Sequence, residues 1–216
     1  MKLTRRSALS LASGLAAASA LGLRPAFAAD GDTYEMLKLM APAGGWVDKW
    51  EGPEDAPVTI IEYASSTCPH CARFHDEVYP TLKEQYVDTG KARFTLRPFL
   101  LNILDAAVFM LAAQTDSDAK YYEVLDAYFS TQTTWATSSN PRDAILQIAE
   151  QLGFNEESFN AALTNQSLFE GMDQLRQQGS DDFGITGTPT FYVNGKQLVG
   201  EQPMEALAAE IDPLVV

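Results

Sequence analysis

The hydrophobic pattern changes period several times along this chain, and each change predicts an element. Val58-Thr59-Ile60-Ile61-Glu62-Tyr63 is β-branched, aromatic and largely apolar, which predicts a strand buried on both faces. From Pro69 to about Tyr86 the apolar residues Phe74, Val78, Leu82 and Tyr86 recur every four positions, the spacing of a helix. Pro69 suits a first helical position, where a missing N–H costs nothing. Gly90 ends that unit, and Ala92-Arg93-Phe94-Thr95-Leu96-Arg97 predicts a second strand. The first half therefore reads as a βαβ unit.

The middle of the chain is helical in pattern. Ile103 to Gln114 is a compact apolar run, and Tyr121 to Phe129 has helical spacing. Asn140-Pro141 predicts a cap and a first helical position, with Gly153 closing that helix. Phe159 to Leu163 and Leu168 to Leu175 add two short helical patterns. The aromatic and Met positions in this region are read as core. Strands then return: Thr190-Phe191-Tyr192-Val193 and Gln197-Leu198-Val199 flank Asn194-Gly195, a two-residue hairpin signal. Pro203 to Ile211 predicts a last helix. With the helical stretch 103–184 set aside, the order is β-α-β, then β-β-α. The expected class is α/β, a thioredoxin fold with an inserted helical subdomain.

Residues 1–57 stand apart. Met1 to Arg6 is basic, Ser7 to Leu23 is small and apolar, and Ala26-Phe27-Ala28 fits a cleavage site, so residues 1–28 read as an export signal peptide. The alternative is a membrane anchor, for which the uncharged run of about 17 residues is at the lower limit. Thr4-Arg5-Arg6 also resembles a twin-arginine signal, with Ala8 where such signals usually carry Phe. Residues 29–57 read as a polar leader ending in the turn-rich run Gly52 to Pro57, and residues 58–216 as the folded domain.

Charge narrows the partners. The export segment holds four of the 15 basic residues and none of the 29 acidic ones, so 11 basic residues remain and the rest of the chain has a net charge of −18. So acidic a surface repels nucleic acid and anionic lipid. Solubility is the preferred reading of that charge, and the expected state is a monomer.

Chemistry enters with the cysteines. There are two, Cys68 and Cys71, in Cys68-Pro69-His70-Cys71. Their ring is too small to restrict the unfolded chain, so a structural staple explains them poorly. Redox or metal chemistry remains, and an exported protein favours redox. Cys68 lies before the first helical turn, at the positive end of the helix, and is read as the nucleophile; Cys71, one turn inside, is the resolving thiol. A helix end contributes at most about 2 kcal/mol, or about one and a half pKa units, so a strongly acidic thiol needs further donors. His70 is read as such a donor to the Cys68 thiolate. That would make the disulfide an oxidant.

Glu62, six residues before Cys68, is either a buried carboxyl able to exchange a proton with Cys71 or an exposed strand-end glutamate. Thr188-Pro189 precedes a strand and could hold a cis bond. His75, on the helical face of Cys71, raises a metal site, but structural zinc takes four ligands and only Cys68, His70, Cys71 and His75 offer thiol or imidazole groups. Neither a metal nor a cofactor is expected.

Ile60-Ile61-Glu62-Tyr63, Cys68-Pro69-His70-Cys71 and Gly187-Thr188-Pro189-Thr190-Phe191 together resemble the bacterial DsbA-type disulfide oxidoreductases over essentially the whole chain after the export segment. The resemblance implies that Cys68 is the nucleophile, Cys71 the resolving cysteine and Glu62 a buried acid. It also implies that Pro189 is a cis-proline facing the disulfide, and that Thr188 supplies backbone that pairs with extended substrates. It further implies a periplasmic enzyme that donates its disulfide to reduced or unfolded secreted proteins, with a DsbB-type membrane partner as reoxidant. The alternatives are a disulfide isomerase or reductase, or a Cu(I)-binding or chaperone protein that uses the same cysteine pair.

Overall fold

The computed structural model describes residues 31–215; the export signal expected at residues 1–28 lies outside them. The strands β1 (Trp50–Glu51), β2 (Val58–Ala64), β3 (Ala92–Pro98), β4 (Thr190–Val193) and β5 (Lys196–Val199) form one sheet in the order β1-β3-β2-β4-β5. β2 and β3 are parallel, and the other pairs are antiparallel. All seven residues of the central β2 are buried, as a strand covered on both faces requires. Asn194 (φ 44°) and Gly195 (φ 93°) take the left-handed pair of conformations that a tight two-residue hairpin needs.

The helices are α1 (Met36–Leu39), α2 (Pro69–Glu77), α3 (Tyr79–Leu82), α4 (Ile103–Ala113), α5 (Asp118–Ser130), α6 (Gln132–Trp135), α7 (Pro141–Gln151), α8 (Glu156–Leu163), α9 (Gln166–Asp181) and α10 (Met204–Ile211). Six of them, α4 to α9, lie between β3 and β4. The architecture is a thioredoxin fold with a helical insertion. Among the described residues no helix is long and apolar enough to cross a membrane.

Two sequence expectations need correction. The helix read from Pro69 to about Tyr86 is broken: α2 stops at Glu77, α3 follows, and Lys83–Val87 is a π-helical turn. Pro80 is the cause, because it has no N–H for residue 76 and its ring would collide with that carbonyl in a continuous helix. The segment read as a leader also joins the fold. Trp50 and Glu51 pair with Thr95 and Phe94 at the sheet edge, while Leu39 and Trp46 are buried. Gly44, at φ 68°, lies so close to Gly171 of α9 that a Cβ on either residue would strike the other's backbone.

The strand register sorts the central residues onto two faces. Glu62 sits opposite Leu96 and Phe191, and Ile60 opposite Phe94 and Val193. This face lies under α2, α3 and α5: the rings of Phe74 and Phe191 are 4.6 Å apart, and those of Tyr79 and Phe94 4.7 Å. The other face carries Ile61, Tyr63, Thr95, Arg97 and Tyr192. There the fully buried Arg97 donates to both carboxylate oxygens of Asp48, at 2.8 and 2.6 Å, and to the Tyr63 hydroxyl at 2.8 Å. Removing one partner of a buried ion pair strands the other charge. Asp48→Ala is therefore expected to lower the unfolding free energy by about 3–5 kcal/mol in urea titration of the oxidised protein; a loss below about 1 kcal/mol would show that Arg97 is satisfied without it.

Candidate active site

The site forms where β2 hands the chain to α2. Cys68 is the N-cap of α2, with extended backbone (φ −78°, ψ 120°), and Pro69 opens the helix. The preceding turn is gathered by one buried carboxylate. Asp105 Oδ1 accepts from the Ser65 and Ser66 hydroxyls at 2.8 and 3.0 Å and from the Thr67 N–H at 2.8 Å. Asp105 Oδ2 accepts from the N–H groups of Leu101 and Asn102. The Gln132 amide donates to the carbonyls of Ser66 and Cys68 at 2.7 and 3.0 Å. Asp105 stands in the first turn of α4, and Gln132 begins α6, so two helices of the insertion hold the turn that carries Cys68.

The two sulfurs have opposite environments. Both cysteines carry free thiols and are buried; Cys68 is 8% exposed and Cys71 fully enclosed. The Cys68 Sγ is 3.3 Å from the Thr188 carbonyl oxygen. A hydrogen bond from the Cys71 thiol, aided by Thr188 and by the backbone N–H groups of Cys71 and His70, outweighs burial and lowers Cys68 to a pKa of about 5. Burial first, then the hydrogen bond to Cys68 and the negative charge of Glu62, push Cys71 well above the ordinary thiol range. Burial of Cys71 and its hydrogen bond to Cys68 together separate the pair into a thiolate and a retained thiol.

Glu62 is fully buried in the interior of β2, not at its end. Its Oε2 is 2.9 Å from Nε2 of His75, which α2 carries one turn beyond Cys71. The His75 ring stacks on Phe129 of α5, centroids 4.4 Å apart and planes at 8°. Glu62 Oε1 and His75 Nδ1 are buried without hydrogen-bond partners.

His70 departs from the expected arrangement. Its ring is exposed, and Nδ1 lies 2.9 Å from Glu201 Oε2, which also accepts from Arg73 at 2.9 Å. The ring is engaged with Glu201, and the donor that reaches Cys68 from His70 is the backbone N–H. Thr188 and Pro189 sit beside Cys68, joined by a cis peptide bond, and Pro189 is buried. Among the described residues no cluster of three His, Cys, Asp or Glu side chains could hold a metal ion.

Several residues here went unremarked in sequence. Asp105 and Gln132 sit in segments read as helical core or left unassigned. Glu201 follows β5 and is 131 positions from His70. Asn102 followed three residues later by Asp105 is a capping-box spacing, and that box is formed; it was the one local signal available.

Fold and site together define a thioredoxin-fold protein with a Cys-x-x-Cys turn, a cis-proline loop and a helical insertion. The chain belongs to the thioredoxin family, whose model, described as Thioredoxin, matches residues 47–213. Within it the chain resembles DsbA-type proteins and protein-disulfide oxidoreductases. It is similar to the crystal structure of alpha-DsbA1 from Wolbachia pipientis, with a TM-score of 0.76 and 28% identity, over 82% of this chain and 94% of that one. The fold is shared with BdbD from Bacillus subtilis, with a TM-score of 0.71 at 16% identity, over 87% of this chain and 99% of that one. A provisionally named protein-disulfide oxidoreductase of Rickettsia bellii is 27% identical over 164 residues, 76% of this chain and 63% of the relative. The matches span 54 to 63% of the length of the five Rickettsia relatives.

The asymmetry of the thiols has a consequence for stability. Cys68 is lowered from 9.0 to about 5 on folding of the dithiol form. A depressed pKa contributes stability that is complete above the unfolded value and is lost as pH falls through the folded value. The disulfide form has no such term. Urea unfolding is therefore expected to show the reduced protein losing stability relative to the oxidised one by on the order of 2 kcal/mol between pH 7 and pH 4.5. A difference that does not vary over this range would mean that Cys68 is not an acidic thiol.

Proposed function

We propose that this protein is a periplasmic thiol–disulfide oxidoreductase that donates the Cys68–Cys71 disulfide to reduced or unfolded secreted proteins. The carrying observation is the Cys68 pKa of about 5 beside a fully buried Cys71. At pH 7 such a thiol is ionised by about a hundredfold excess. That favours the dithiol form by about 2–3 kcal/mol over one with two neutral thiols, or about 60 mV for a two-electron couple. A disulfide whose reduced form is stabilised passes its oxidation on.

The chemistry follows from the positions of the groups. A substrate thiolate attacks the Cys68 sulfur, the edge of the pair that is not wholly enclosed. Its electron pair forms the mixed disulfide, and the pair of the broken bond leaves on Cys71. Glu62 supplies the proton that neutralises Cys71. A second substrate thiolate then attacks the substrate sulfur of the mixed disulfide and releases Cys68 as a thiolate. The Thr188 backbone beside Pro189 offers main-chain hydrogen bonding to an extended substrate segment, a mode indifferent to side-chain sequence. The export signal in residues 1–28 supports the periplasmic setting, with a DsbB-type membrane protein as reoxidant.

The test is the reduction potential of the Cys68–Cys71 couple in glutathione buffers at pH 7. A thioredoxin couple, with a thiol near pKa 7, lies at about −270 mV. The additional thiolate stabilisation here is expected to place this couple at about −220 mV or higher. A potential at or below about −270 mV would reverse the assigned direction and favour a reductase.

A further inference from the structure

The enclosure of Cys71 and Glu62 poses a question of proton supply. Neither has any exposed surface. When the disulfide opens, the electron pair left on Cys71 needs a proton promptly, because an uncompensated thiolate in that setting is costly. Once Glu62 has given its proton it is a buried carboxylate that must be reloaded. Its side-chain hydrogen bond among the described residues is the one to His75 Nε2, at 2.9 Å.

His75 is suited to that supply. An imidazole takes a proton on one nitrogen and releases it from the other. Nε2 is committed to Glu62, whereas Nδ1 is buried and has no hydrogen-bond partner among the described residues. The same residue lines a cleft in the surface with Asp76, Tyr79, Lys83 and Asp126. Burial raises the Asp126 carboxyl, and the nearby charges of His75 and Lys83 act against that, so the cleft wall and the imidazole are within electrostatic reach of each other. The charged and titratable groups that face the ring or share its cleft among the described residues are Cys71 and Asp76 on α2, Glu62 on β2, Tyr79 on α3, Lys83 on the π-helical turn and Asp126 on α5. The Phe129 stack fixes the plane of the ring.

We propose that His75 carries protons between the cleft and Glu62, so that Cys71 is protonated and deprotonated through a Cys71–Glu62–His75 relay. This rests on the reading of Glu62 as the proton donor to Cys71, and it holds for thiol–disulfide exchange in either direction. His75 touches neither substrate nor reacting sulfur, so it is a positioning residue that acts through Glu62. The proton balance closes. Glu62 passes its proton to Cys71, His75 passes one to Glu62, and His75 regains one from solvent at the cleft. In the reverse reaction each transfer runs backwards.

The test is the rate of reduction of the oxidised protein by dithiothreitol, quenched with acid and counted by thiol alkylation, from pH 5 to pH 9. His75→Gln can still hydrogen-bond to Glu62 but cannot carry a proton. It is expected to slow reduction by at least about tenfold near neutral pH and to alter the pH profile, with the ultraviolet thiolate titration of Cys68 unchanged. Glu62→Gln is expected to produce the same loss, and the double variant no more than either. A His75→Gln profile that overlays the wild type, with Glu62→Gln slow, would overturn the relay and leave Glu62 standing. Wild-type profiles in both would overturn the role of Glu62 itself. Should His75→Gln fail to fold, 15N NMR of the wild-type imidazole decides. The His75 resonances are expected to shift between the disulfide and dithiol forms; a ring insensitive to the redox state of the cysteines overturns the proposal.

Discussion

The geometry of this site depends on the Asp105 carboxylate. A strand that turns at once into a helix leaves several backbone and hydroxyl donors pointing inward, and the bonds between Ser65 and Thr67 leave Ser66 and the Ser65 hydroxyl still in need of an acceptor. Asp105 accepts from all three and, through its second oxygen, from the turn that starts its own helix. A buried carboxylate is tolerable because five donors surround it. The result is mechanical as well as electrostatic. The helical insertion, far from being an ornament on a thioredoxin core, grips the reactive turn through Asp105 and Gln132, and so fixes where Cys68 stands relative to Thr188 and Cys71.

With Cys68 so placed, burial of Cys71 and its contact with Cys68 differentiate the sulfurs. Donation from Cys71 to Cys68 stabilises the Cys68 thiolate and holds the proton on Cys71. Neither the helix end nor an imidazole is needed as the principal source. The dipole contributes through the particular N–H groups of His70 and Cys71 that face the sulfur. The His70 ring, turned toward Glu201 and Arg73, belongs to the charged rim of the site.

How much of this was legible in sequence follows the range of the interaction involved. The buried β2, the Asn194-Gly195 hairpin, the Cys68 cap with Pro69 behind it and the helical character of the insertion all come from short-range pattern, and the structure carries each of them. The Pro80 break was equally local and was overridden by the regular spacing of Phe74, Val78, Leu82 and Tyr86. β1 has two residues, too few for any periodicity, and exists only because β3 offers an edge. Asp105 reaching the turn, Glu201 taking the His70 ring and His75 meeting Glu62 across a strand and a helix all join residues distant in sequence. Side-chain spacing along one element cannot reveal such partners; it placed His75 correctly on the face of Cys71 but could not show what lay opposite.

The two faces of β2 show how buried polar groups divide between holding the fold and running the chemistry. Tyr63 and Glu62 are adjacent, and alternation sends them to opposite sides. On the Tyr63 side, each of the three guanidinium nitrogens of Arg97 has a partner in Asp48 or Tyr63, and the arrangement is closed. On the Glu62 side, one bond joins carboxyl and imidazole, and each group keeps a buried atom without a partner. An orphaned buried polar atom costs about 1–3 kcal/mol, and here both members of one hydrogen-bonded pair carry such an atom. They make sense where the group must change protonation: a carboxyl with every lone pair occupied would resist taking and losing a proton. In the proposed relay, the unpaired Oε1 is the Glu62 atom available to Cys71, and the unpaired Nδ1 the His75 atom available for a second proton.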